Sequence, residues 1–213
     1  TPAPAGMNTI AEIADDNGNF TILLDALTRT DLAETMADPS QTYTVFAPTD
    51  DAFVDLLDEL GLDDLDAVEM ALGTEGLKNV LLYHVLGAEV KSSMVTTGYV
   101  STLATNGTSD NLSMYISTAS GVMINDRSSV VAADVEASNG VIHVLDKVIL
   151  PMSVFELLKV NPEYSSLTAA LMVADGGLDG LLMDATSGPN TVFAPNDMAF
   201  STLLQDLQLA DLT

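Results

Sequence analysis

The sequence contains no cysteine and no tryptophan, and only six of its 213 residues are lysine or arginine. The absence of cysteine excludes a disulfide scaffold, a cysteine-ligated zinc site and a thiol nucleophile. No apolar run reaches the length of about 18 residues that a membrane-spanning helix needs, so we expect no membrane insertion in this segment. Apolar residues nevertheless make up 47% of the chain, which is enough to build a large folded core.

Positive charge is scarce while negative charge is abundant. The chain carries 31 aspartate and glutamate residues, which gives a formal net charge of -25. A polyanion such as nucleic acid would be repelled, as would an anionic membrane surface, so neither is an expected partner. The simplest interpretation is a solvated acidic surface that keeps the protein soluble, and a sharper alternative is adaptation to a halophilic or marine habitat.

An internal repeat dominates the organisation of the chain. The segment TVFAPTDDAFVDLLDEL at 44–60 recurs 147 residues later as TVFAPNDMAFSTLLQDL at 191–207. Upstream, NFTILLDAL at 19–27 resembles EYSSLTAAL at 163–171. We therefore predict a complete domain at 1–152 and the helical N-terminal part of a second, truncated copy at 153–213. The second TVFA segment would then lack the strand partners that a full domain supplies.

Hydrophobic periodicity predicts helices first and strands afterwards. Thr49 is a good N-cap for a helix whose apolar face is formed by Phe53, Leu56, Leu57 and Leu60. From residue 111 onward the pattern alternates as in a strand, and Asn139-Gly140 is typical of a hairpin turn in which both residues take positive φ. This order indicates an α+β fold.

Motifs for catalysis are missing from the sequence. There are only two histidines, His84 and His143, and we interpret both as core residues that bond to backbone carbonyls, with a ligand role as the alternative. The acidic loop at 15–19 departs from a calcium-binding loop because Phe20 stands where glycine is needed. We expect no catalytic residue, no cofactor and no metal site.

Three motifs resemble those of the fasciclin domain family. TVFAPTDDAF resembles the family's first signature box, GVIHVLDKVILP at 140–151 resembles the second, and LLYHVL at 81–86 resembles its Tyr-His motif. The resemblance implies a compact wedge of β-sandwich with N-terminal helices packed along it. It also implies a secreted or cell-surface protein that acts in adhesion without catalysis.

The resemblance assigns a candidate adhesion motif to Tyr83 and His84. In some animal members of the family this motif, with its apolar flanks, is associated with integrin binding. The acidic composition instead favours a microbial surface or an exopolysaccharide, so the expected partner is a cell-surface protein or polysaccharide. We also expect association between tandem domains or self-association of the chain. The alternative for Tyr83 and His84 is a packed junction between a helix and a strand.

A second function is also open. Some fasciclin proteins of algae are soluble carriers of carotenoids, so the chain could bind an apolar small ligand. Such a ligand needs an apolar groove or cavity, which the sequence alone does not reveal.

Overall fold

The computed structural model describes residues 7–107, 109–174, 177–183 and 190–209. The chain divides into two compact units, Thr1–Pro151 and Met152–Thr213. The first unit combines helices with a sheet, which confirms the predicted α+β class.

The described part of the first unit contains five α-helices: α1 Ile10–Asp16, α2 Thr21–Arg29, α3 Leu32–Ala37, α4 Asp50–Leu60 and α5 Leu65–Tyr83. Side-chain caps mark where several of them begin. The Thr49 hydroxyl accepts a hydrogen bond from the Ala52 backbone N–H at 3.3 Å, which confirms the predicted N-cap. These bonds satisfy backbone donors that have no partner within the helix.

The described strands of this unit form one seven-stranded sheet: β1 Tyr43–Pro48, β2 Val85–Leu86, β3 Gly98–Thr105, β4 Asn111–Ser117, β5 Met123–Ile124, β6 Ser128–Ala137 and β7 Gly140–Leu145. Their order across the sheet is β2-β1-β7-β6-β5-β4-β3. β1 pairs in parallel with β7, and the remaining neighbours are antiparallel. Strand β1, which lies between α3 and α4 in the chain, is therefore held by a partner almost one hundred residues away.

Two apolar cores fill this unit. In the first, residues of the helices such as Leu23 and Phe53 pack with Val45 and Ile142 from β1 and β7. In the second, Phe46 and other residues of β1, β2 and β7 share an interior with residues of β3, β4 and β5. The sheet thus folds over its own second core, as a β-sandwich does, with the helices packed on the outer side of β1 and β7.

A hairpin joins β6 to β7 as predicted, but its two turn residues are Ser138 and Asn139, because Gly140 already pairs with Ala137 as the first residue of β7. Gly140 has φ of 141°, whereas Asn139 does not take a positive φ. Asn139 is instead buried, and its side chain accepts from the Ile10 N–H at 2.9 Å and donates to the Met36 carbonyl at 2.7 Å. The residue therefore ties the hairpin to the ends of α1 and α3.

The described part of the second unit contains four α-helices: α6 Val154–Lys159, α7 Ser165–Val173, α8 Leu178–Met183 and α9 Asp197–Leu207. Residues 190–196, which include the second TVFA segment, form no strand. The same four letters are a strand in the first unit, where β2 and β7 flank them.

Candidate functional site at the buried Tyr-His motif

Tyr83 lies at the last position of α5 and is fully buried, with 0% of its surface exposed. Its hydroxyl donates a hydrogen bond to the Ser113 carbonyl at 2.8 Å and accepts one from the Asn125 side-chain amide at 3.0 Å. A buried phenol needs such partners because an unpaired hydroxyl in an apolar core is costly. Tyr83 thereby connects α5 to β4 and to the turn between β5 and β6.

Asn125 is the member of this network that sequence reasoning missed. It lies in the turn between β5 and β6 with φ of 54°, and its side-chain oxygen accepts from the Tyr115 N–H at 2.8 Å. The Asn125-Asp126 pair was a usable signal, since asparagine and aspartate are the residues that best tolerate this left-handed conformation. What the sequence did not reveal is that this turn meets Tyr83, 42 residues earlier.

His84 follows directly as the C-cap of α5 and is 2% exposed. Its Nε2 accepts a hydrogen bond from the Ile149 N–H at 3.1 Å, so the ring proton resides on Nδ1, which donates to the Val80 carbonyl at 2.8 Å. Burial lowers the pKa of His84 to about 4, because the charged imidazolium would lose its hydration, although the bond to Val80 acts in the opposite direction. The ring is therefore neutral at neutral pH.

His143, in β7, has the opposite tautomer. Its Nδ1 accepts from the Asp134 N–H at 3.2 Å, which leaves Nε2 to donate to the Val90 carbonyl at 2.9 Å. The residue is 2% exposed and lies beside the Phe46 ring. The prediction that both histidines are core residues bonded to backbone carbonyls is confirmed.

His84 joins the other two sequence motifs. Its backbone carbonyl accepts from the Phe46 N–H at 2.9 Å in the first box, while its ring accepts from Ile149 in the second. The two boxes are also direct neighbours, because Tyr43–Pro48 pairs in parallel with Gly140–Leu145. Three segments separated by up to one hundred residues thus converge on one junction.

A model of the fasciclin domain matches residues 18–151, which is more than half of the chain and contains all three motifs. The chain belongs to the fasciclin domain family. Its first signature box forms β1 and the start of α4, and its second forms β7 and the segment that follows.

The chain is also similar to several individual proteins. The chain is 34% identical over 143 residues to protein sll1483 of Synechocystis sp., covering 67% of this chain and 73% of that protein. It is 28% identical over 178 residues to Stabilin-2 of Rattus norvegicus, covering 78% of this chain but only 12% of the relative. A FAS1 domain pair from the insect cell adhesion molecule fasciclin I has a TM-score of 0.45 at 19% identity, covering 92% of this chain and 62% of that one.

The chain carries a large excess of negative charge. Four of the few cations pair with carboxylates: Arg29, Lys91, Arg127 and Lys147. Arg127 also donates from Nε to the Val148 carbonyl at 3.1 Å, beside the second box. Most carboxylates remain uncompensated, since the chain has 31 acids and six lysine or arginine residues.

Among the described residues, no three His, Asp or Glu side chains are grouped as a metal site would require. None of the described helices combines the length and the apolar character needed to cross a bilayer.

Proposed function

We propose that this chain is a non-catalytic adhesion module that acts outside the cell or at its surface and contacts a cell-surface protein or polysaccharide. The observation that carries the proposal is the fasciclin domain at residues 18–151. The family is associated with adhesion, and the acidic surface is suited to an aqueous, salt-containing exterior.

In this proposal Tyr83 and His84 support adhesion indirectly. Their side chains are 0% and 2% exposed, so a partner cannot touch them while the domain is folded. Their hydrogen bonds hold α5 against the sheet, and the outer surface that this junction positions makes the contact. Under this proposal the motif acts as a packed junction, which is the alternative that the sequence left open.

The buried histidines favour a role without catalysis. Each ring nitrogen of His84 and His143 already bonds to a backbone group. A general base must reach a substrate proton, and neither ring is placed to do so.

The enclosed cavities in the described part of the chain give no support to the alternative of an apolar small ligand. The two enclosed apolar cavities beside His84 have volumes of about 20 and 40 Å³. Ligand sites for drug-sized molecules usually span roughly 300–1,000 Å³, and a carotenoid is longer still.

The proposal also assigns residues 153–213 to the N-terminal part of a second fasciclin domain. The capping box of Thr9 and Glu12 recurs as Ser153 and Glu156. The Asp50 carboxylate accepts from the Thr21 hydroxyl at 2.6 Å, and Asp197 accepts from the Ser165 hydroxyl at 2.6 Å. Tandem copies suit adhesion because linked weak sites gain avidity.

Adhesion can be tested with protein-coated fluorescent microspheres. We expect spheres carrying the folded chain to be retained on a cell monolayer or on films of dextran or chitosan. The control is the Gly140→Ala variant, which has the same charge and is expected to be unfolded, so it reports retention that does not require the folded domain. Equal retention of the two proteins on every surface would refute the adhesive function.

The acidic surface gives a separate prediction on salt. If the charge of -25 reflects a saline habitat, the melting temperature should rise by several degrees between low salt and molar sodium chloride, because ions screen the repulsion between carboxylates. Potassium chloride at equal ionic strength should give the same rise. A flat or falling melting temperature in thermal unfolding followed by circular dichroism would remove the argument for a saline habitat.

A further inference from the structure

An open groove of about 430 Å³ lies on the helical side of the first unit, between α2, α4 and the start of α5. We call it the helical groove. Its floor is aliphatic and includes Ile22, Val54 and Leu57. Val54 is 49% exposed, so it offers aliphatic surface to a partner.

Further aliphatic surface adjoins this floor. Leu60 and Leu72 are each 50% exposed, and both line the enclosed cavity of about 40 Å³ beneath the groove. That cavity shares Ile22, Leu57 and Leu65 with the groove. The groove and this cavity are therefore neighbours that share part of their apolar lining.

The rim of the helical groove is acidic and contains Asp25, Asp63 and Asp64. The nearby cation Arg29 is already shared among Asp25, Asp66 and Glu69. In the described residues Asp63 has no ion pair or hydrogen bond, and its side chain is exposed. The rim thus keeps a net negative charge beside an apolar floor.

We infer that the helical groove docks a basic amphipathic segment of a partner protein, with an aliphatic side chain on the Val54 floor and a lysine or arginine at Asp63. Aliphatic burial provides most of the affinity, because an exposed ion pair contributes little by itself. The carboxylates select a cationic partner and repel an anionic one. This inference rests on the proposed adhesive function and specifies a protein as the partner.

The test uses the full chain labelled with ¹⁵N and two helical peptides of equal charge, one built from lysine and leucine and the other from lysine and serine. We expect the lysine-leucine peptide to shift the amide signals of α2, α4 and the start of α5 saturably. The lysine-serine peptide should bind at least about tenfold more weakly, because it has no aliphatic group to bury.

Matched variants distinguish peptide binding in the helical groove from general electrostatic attraction to an acidic protein. Val54→Ser should weaken binding of the lysine-leucine peptide about fivefold, whereas Val131→Ser, at a valine that is 60% exposed in β6, should not. Asp63→Asn should weaken it about threefold, whereas Asp15→Asn, at an exposed carboxylate at the end of α1, should not.

Several outcomes would overturn the inference. These are shifts spread over the whole acidic surface with equal affinity for both peptides, no binding of the lysine-leucine peptide, or the same groove shifts with a neutral glucan hexasaccharide. Microsphere retention distinguishes the two proposals. If retention is unchanged in both Val54→Ser and Asp63→Asn, the groove is not the docking site, but the adhesive function stands. If the peptide binds in the groove but the spheres are not retained, the adhesive function is refuted, but the groove remains a docking site.

Discussion

Replacing Gly140 by alanine is expected to prevent stable folding of the 1–151 unit. A Cβ at this position would lie 1.9 Å from the Tyr43 carbonyl oxygen and 2.8 Å from its carbon. The φ of 141° is also a conformation that residues with a side chain rarely adopt. Because Tyr43 and Gly140 begin the pairing of β1 with β7, relief of this clash would separate the two signature boxes.

The expected loss exceeds about 4 kcal/mol of the free energy of unfolding, since a backbone clash and an unfavourable φ act together. Urea unfolding followed by circular dichroism measures it. Gly18→Ala is the matched control, because an added Cβ there meets nothing within 4 Å. It should leave the unfolding midpoint nearly unchanged, and a Gly140→Ala variant with the wild-type midpoint would contradict the close approach of β1 and β7.

The free energy of unfolding should also depend on pH through His84. The pKa of His84 is about 4 in the folded protein, below its ordinary value of 6.5. Between these values the unfolded chain binds a proton that the folded chain does not, so the contribution of His84 is complete above pH 6.5 and is lost as the pH falls towards 4. The loss amounts to about 3 kcal/mol.

His84→Gln isolates this contribution, because the variant cannot titrate at this position. The free energy of unfolding of the wild type minus that of the variant, from urea titrations at pH 7, 6, 5 and 4, should decrease by about 3 kcal/mol over this range. Carboxylates titrate in both proteins, so their contributions cancel in the difference. A difference that stays constant with pH would show that His84 is not buried as a neutral ring.

Local features of the fold were predictable from the sequence. The N-cap at Thr49 and the presence of a hairpin between β6 and β7 depend on residues next to one another in the chain. The recurrence of the first signature box at 191–200 was equally visible as a repeat. Such features need no knowledge of distant partners, and for that reason sequence patterns identify them.

Features that depend on distant partners were not predictable in the same way. Phe46 and its counterpart Phe193 stand in the same TVFAP sequence, yet they are 1% and 93% exposed. The first segment is a strand because β2 and β7 flank it, and 190–196 forms none. Strand formation here is decided by tertiary pairing more than by intrinsic preference.

The candidate site shows the same limit. The sequence identified Tyr83 and His84 as a motif but left their exposure open. Their burial follows from contacts with Ser113, Asn125 and Ile149, between 30 and 65 residues along the chain. No local pattern around 81–86 contains those partners.

The most direct test of the central claim is microsphere retention by Tyr83→Phe compared with the wild type, at a temperature where both proteins are folded. The variant removes only the hydroxyl that bonds to Ser113 and Asn125, which should lower the free energy of unfolding by about 1–3 kcal/mol. If the Tyr-His motif is a buried support and the outer surface makes the contact, the folded variant should be retained as well as the wild type. A folded Tyr83→Phe variant that loses retention would show that the tyrosine itself takes part in adhesion and would contradict the account.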